Sequence, residues 1–109
     1  MALEGSLAVD VDAGIRFEFV VTNRDDEPAE LQFRTGQAAE FVVTDDDGEV
    51  WRWSDGRVFT QALRRETLGP GDSVTHEAAW PDPPPGAYHA VATLAAEHAD
   101  VEARARFEV

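Results

Sequence analysis

The chain of 109 residues carries 22 Asp and Glu against 9 basic residues, a formal net charge of −13, and no cysteine. Such a balance repels nucleic acid and anionic membranes, which depend on positive charge for affinity, and the missing cysteines exclude disulfides, thiol chemistry and cysteine-ligated zinc. The length fits one domain, residues 1–109, and 43% hydrophobic residues are enough to give it a core.

The opening Met1-Ala2-Leu3-Glu4-Gly5 lacks the basic region and apolar stretch of a signal peptide. No apolar run approaches membrane-spanning length, so the expectation is a cytoplasmic protein. Beyond it, apolar residues alternate with polar ones at the period of a half-buried strand. Ile15, Phe17, Phe19 and Val21 fall on one face, with Arg16, Glu18 and Thr22 between or after them. The polar run Asn23-Arg24-Asp25-Asp26-Glu27-Pro28 breaks this strand. Leu31 and Phe33 begin the next, and Phe41 and Val43 the one after. Asp45-Asp46-Asp47-Gly48-Glu49 predicts a hairpin turn, because Gly accepts the positive φ such turns require, and Val50 to Ser54 returns from it.

Val58 to Arg65 reads either as a strand or as a helical turn. Leu68-Gly69-Pro70-Gly71-Asp72 is a turn and Val74 to Trp80 a strand. Pro81-Asp82-Pro83-Pro84-Pro85-Gly86 is a stiff loop that cannot pair in a sheet. Tyr88 to Ala96 and Val101 to Val109 complete the set, the last alternating cleanly between Val101, Ala103, Ala105, Phe107, Val109 and the charged residues between them. The pattern predicts an all-β fold, an immunoglobulin-like antiparallel β-sandwich of about 7–9 strands. Pro85-Gly86-Ala87-Tyr88 adds a candidate tyrosine corner, in which the hydroxyl bonds back to nearby backbone.

Every basic residue is Arg, and Lys is absent. An acidic surface either steers toward a basic partner or keeps a protein hydrated in concentrated salt, where screening mutes its self-repulsion. The spread of acids along the whole chain favours salt adaptation, a halophilic character.

Catalytic chemistry finds little footing. His76, His89 and His98 have no diagnostic metal-ligand spacing; His76 shares a face with Val74, Ala78 and Trp80 and reads as half-buried or as marking a bulge. Ser6, Ser54 and Ser73 stand in no nucleophile motif. Aligning Gly48 with the invariant glycine of a calcium loop puts Val43 and Ser54 where acids are required, so that motif fails. Trp51 and Trp53 lie two apart on one strand face. Burial in the core is the favoured reading, and an exposed aromatic platform for sugar rings or a protein partner the other. Neither an enzyme activity nor a cofactor or metal is expected.

Taken in order, Phe19-Val20-Val21-Thr22-Asn23, Leu31-Gln32-Phe33-Arg34-Thr35-Gly36-Gln37, Phe41-Val42-Val43, Val50-Trp51-Arg52-Trp53-Ser54-Asp55-Gly56, Phe59-Thr60-Gln61-Ala62, Leu68-Gly69-Pro70-Gly71-Asp72 and Pro85-Gly86-Ala87-Tyr88 form a recognisable series. The chain resembles the BsuPI-type intracellular proteinase inhibitor family, from about Gly14 to the C-terminus. The Thr-Gly-Gln and Trp-x-Trp-Ser blocks, with Phe-x-Gln following, are its most specific parts. The resemblance implies an inhibitor of an intracellular subtilisin-like serine protease. Such inhibition asks for an exposed, rigid segment that adds as a strand to the protease cleft. The candidates are Pro81, Asp82, Pro83, Pro84 and Pro85, leading into Gly86; Ser54, Asp55, Gly56 and Arg57; and the pair Arg64 and Arg65. Two rival readings stand beside inhibition: an immunoglobulin-like structural or assembly module, and a carbohydrate-binding module using exposed tryptophans.

Overall fold

The computed structural model describes residues 2–109. The regular structure among them is entirely β: β1 (Leu3–Asp12), β2 (Gly14–Asn23), β3 (Ala29–Phe33), β4 (Ala39–Asp45), β5 (Gly48–Arg52), β6 (Arg64–Leu68), β7 (Ser73–Trp80), β8 (Ala87–Leu94) and β9 (Glu102–Glu108). Every pairing is antiparallel. One sheet runs β1-β2-β7, the other β5-β4-β8-β9, and β3 and β6 form a separate ribbon.

The alternation in β2 explains how the layers close. Ile15, Phe17, Phe19 and Val21 turn inward and are buried, while Arg16 and Glu18 face solvent. Opposite them stand Phe41 and Val43 of β4, Ala90 and Ala92 of β8, and Phe107 of β9. The ring of Phe17 lies 6.0 Å from Phe41 and 5.8 Å from Phe107, so the faces of the two sheets interlock as in a sandwich. The β3-β6 ribbon adds Leu31, Phe33 and Leu68 to the same core. Each of these large side chains stabilises the fold by about 1.5–3 kcal/mol relative to exposure.

The β4–β5 hairpin forms where the Asp-Gly signal places it. Its turn is Asp46-Asp47, and Gly48 opens β5 opposite Asp45 with a φ of 121°, a conformation open to glycine. The tyrosine corner is present: the buried Tyr88 hydroxyl donates to the Pro84 carbonyl over 2.5 Å.

Two features depart from the sequence reading. Leu3–Asp12 is a full strand, paired along its length with β2, where no strand was foreseen. Val58 to Arg65 is neither one strand nor a helical turn: residues 57–63 have no regular structure, and β6 starts only at Arg64.

Asn23 ends β2 as a buried polar junction. Its side-chain amide donates to the carbonyls of Glu27 (2.9 Å) and Leu68 (3.0 Å), and its Oδ1 accepts from the Asp25 amide. Its main chain bonds Gly71 and Asp72 as well, which ties the polar break after β2 to the turn before β7. A wholly buried amide is tolerable because each of its polar atoms has a partner.

Candidate functional site

The ground for an exposed site is laid by aromatic residues that continue the core outward. Trp80 stacks on Trp51 at 5.7 Å, and Trp51 on Phe17 at 5.6 Å. Phe41, next to Phe17, meets Trp53 edge-on at 6.3 Å, and Trp53 meets Phe59 at 5.6 Å. Trp51 and Trp53 therefore share the inward face, as their spacing requires, and both are half-buried against the core. The packing leaves no open two-tryptophan platform.

After β5 the chain turns sharply, and Glu40 braces that turn. Its carboxylate accepts from the Ser54 amide at 3.2 Å and from the Phe41 amide at 3.0 Å, and pairs with Arg52 at 3.5 Å. Beyond the turn, the Arg57 amide donates to the Ser54 carbonyl, and its guanidinium Nε donates to the Trp53 carbonyl at 2.7 Å. The same guanidinium lies over the Trp53 ring, 4.3 Å from its centre.

From Arg57 to Leu63 the chain runs without turn or bend. Val58 is 96% exposed and Leu63 68%, whereas Phe59 between them is half-buried on Trp53. Within Val58–Ala62, the Thr60 carbonyl alone has a main-chain hydrogen bond among the described residues, from the Gly36 amide at 2.9 Å. The approach is close: a Cβ at position 36 would stand 2.9 Å from the Thr60 hydroxyl, which would have to turn aside. At the far end Arg64 lies over the buried Phe33 ring at 4.9 Å and approaches Glu66 at 3.6 Å.

The sequence candidates are thus distributed over two places. Ser54, Asp55, Gly56 and Arg57 form the turn that leads into the exposed segment, and Arg64 and Arg65 form its exit. Ser54 itself is half-buried, while the others are exposed. Pro81 to Pro85 form a separate loop, exposed except at the half-buried Pro83. Pro81 alone approaches the first group, lining a shallow hollow with Trp51, Trp53 and Arg57. The stretch Val58–Leu63 lies between two of the candidates and is not itself one of them. Two exposed apolar residues around a half-buried Phe were the available signal, obscured by the choice between strand and helix.

His76 lies across from Phe19 on β7, with its Nε2 buried and unpartnered among the described residues. Burial pushes its imidazole below the ordinary value; the carboxylate of Glu66 opposes this and the Arg64 charge reinforces it. Among the described residues, no three His, Asp or Glu side chains gather as a metal site.

The comparison with known families bears directly on this geometry. The model of the BsuPI family, intracellular proteinase inhibitor, matches residues 3–99. The chain belongs to this family. The match begins earlier than the resemblance suggested, taking in β1, and stops before β9. No match was found among curated proteins. Among solved structures, the CARDB domain of a Pyrococcus furiosus protein, crystallised in complex with di-metal ions, aligns over 99% of this chain and 92% of its own, with a TM-score of 0.54 and 16% identity. At that identity the likeness concerns the fold, and it agrees with an immunoglobulin-like sandwich. No helix of the BsuPI domain described here is long and apolar enough to cross a membrane.

Proposed function

We propose that this BsuPI domain is a non-enzymatic cytoplasmic inhibitor of a subtilisin-like serine protease, and that it acts by occupying the active-site cleft. The observation that carries this reading is the exposed, nearly unpaired main chain of Val58–Ala62, held at both ends on a rigid sandwich. An extended segment with free N–H and C=O groups can add as a strand to a cleft built to bind peptide backbone. Rigidity matters as much as exposure, because a segment already ordered loses little entropy on binding. It also resists the distortion that cleavage requires. The family supplies proteinase inhibition in general; the protease class, the cytoplasmic setting and the salt-adapted character belong to the proposal.

The test is titration of a purified intracellular subtilisin-like protease with this protein in concentrated KCl. We expect stoichiometric loss of peptidase activity with the domain recovered intact. Undiminished activity at molar excess, or rapid digestion of the domain, would overturn the proposal.

A further inference from the structure

Resting on the inhibitor reading, the loop geometry narrows the contact to one side chain and one kind of cleft. We infer that Val58 enters the primary specificity pocket of the target protease, and that the arginines flanking it lie against an acidic rim of that cleft.

Orientation singles out Val58. Side chains alternate along an extended chain. Arg57 and Phe59 both turn back onto Trp53, so Val58 between them turns outward, which agrees with its 96% exposure. An apolar residue so exposed is not itself unusual, but one clamped on both sides is presented in a single direction. Leu63 is less exposed and borders β6, where its neighbour Arg64 is committed to Phe33.

Charge points to the same segment. The molecule carries −13, yet residues 56–65 contain no carboxylate and three of its nine arginines, Arg57, Arg64 and Arg65. The guanidiniums of Arg57 and Arg64 are held over aromatic rings; Arg64 also approaches Glu66 at 3.6 Å, while Arg57 and Arg65 have no carboxylate partner among the described residues. An extended apolar residue between fixed positive charges is complementary to an aliphatic pocket with acidic borders. The acidic remainder of the surface would be repelled by such a cleft, so the segment also fixes which side approaches. The Pro81–Gly86 loop has Asp82 and no basic residue, and is excluded on the same ground.

Four variants measured against an intracellular subtilisin-like protease test this. Val58→Asp should weaken inhibition at least 100-fold, because it places an unpaired charge in an apolar pocket. Val58→Ile should retain it within a few-fold. Arg65→Glu should slow association about tenfold at low salt and much less at high salt. Replacing Asp82–Pro85 by Gly and Ser should leave the inhibition constant unchanged. Circular dichroism and thermal melts accompany each variant, and the exposed positions should melt as the parent does. Inhibition by the parent together with an unaffected Val58→Asp would overturn this assignment while leaving the inhibitor reading intact. Loss of inhibition in the Pro loop variant alone would move the contact there and overturn it too. A parent protein that inhibits nothing would remove the reading on which the assignment rests.

Discussion

The loop Pro81–Gly86 and the segment Arg57–Leu63 are both exposed and both stiff, but for different reasons. In the first, stiffness is covalent: four prolines fix φ locally, and the Tyr88 hydroxyl fastens the Pro84 carbonyl. In the second, none of the seven residues restricts its own backbone unusually. Order there comes from contacts with distant residues: Trp53 beneath Arg57 and Phe59, Gly36 beside Thr60, and Phe33 beneath Arg64. A locally stiff loop keeps its shape whatever it touches. A segment clamped from outside keeps its main chain free for a partner, and its shape can be lost by a single change elsewhere.

The comparison breaks most readily at Phe59. Phe59→Ala removes the middle clamp and should free about two residues, each costing ~1–2 kcal/mol to order again on binding. We expect inhibition to weaken about 100-fold, equivalent to roughly 2.8 kcal/mol. Fold stability should fall by only ~1–2 kcal/mol, less than for a fully buried Phe. Inhibition assays and urea denaturation on one sample would separate the two effects. Equal losses in both would mean that Phe59 serves the fold alone.

Tyr88→Phe probes the other loop. It deletes one hydrogen bond and leaves the ring packed against Trp80 and Phe107, at 5.3 and 5.5 Å. The expected cost is about 1 kcal/mol, or roughly 4–8 °C in Tm. Inhibition should be unchanged, since the prolines remain. A marked loss of inhibition would show that the two loops are not independent.

The same contrast governs what could be read from the chain alone. Turns set by local chemistry were legible: the Asp-Gly hairpin, the proline loop and the tyrosine corner all declare themselves in consecutive residues. So were strands whose apolar residues are large and regularly spaced, as in β2 and β9. β1 also alternates, with Leu3, Leu7 and Val9 packing against the core, but Gly5 and Ala8 dilute the pattern and its inward side chains are only half-buried. Asn23 looked like the first residue of a polar break, and its role depends on carbonyls of Glu27 and Leu68 that only the fold brings near. Val58 to Leu63 was least legible. Its order resides in residues far away in the chain, Gly36 for Thr60 and Phe33 for Arg64, so no reading of the segment itself could supply it.

The finest distinction between the two loops is their response to pH. His76 lies near Arg64 and Glu66, at the exit of the clamped segment, and its burial favours the neutral imidazole. Its folded value is below the unfolded 6.5, so above that pH both states are neutral and the group contributes nothing to the pH slope. As pH falls below 6.5, the unfolded chain takes up the proton first, and stability declines until the folded imidazole is also charged. A protonated His76 then repels Arg64, drawing on Glu66 for compensation, and the strain falls on the β6 end of the clamp. Thermal melts at pH 7.5 and 5.5 should therefore show a fall in Tm that His76→Leu reduces, since leucine keeps the packing against Phe19 without a titrating nitrogen. The comparison with the variant also subtracts the contribution of carboxylates, which both proteins share. An identical fall in parent and variant would assign the acid sensitivity to those carboxylates and leave both loops equally indifferent to His76.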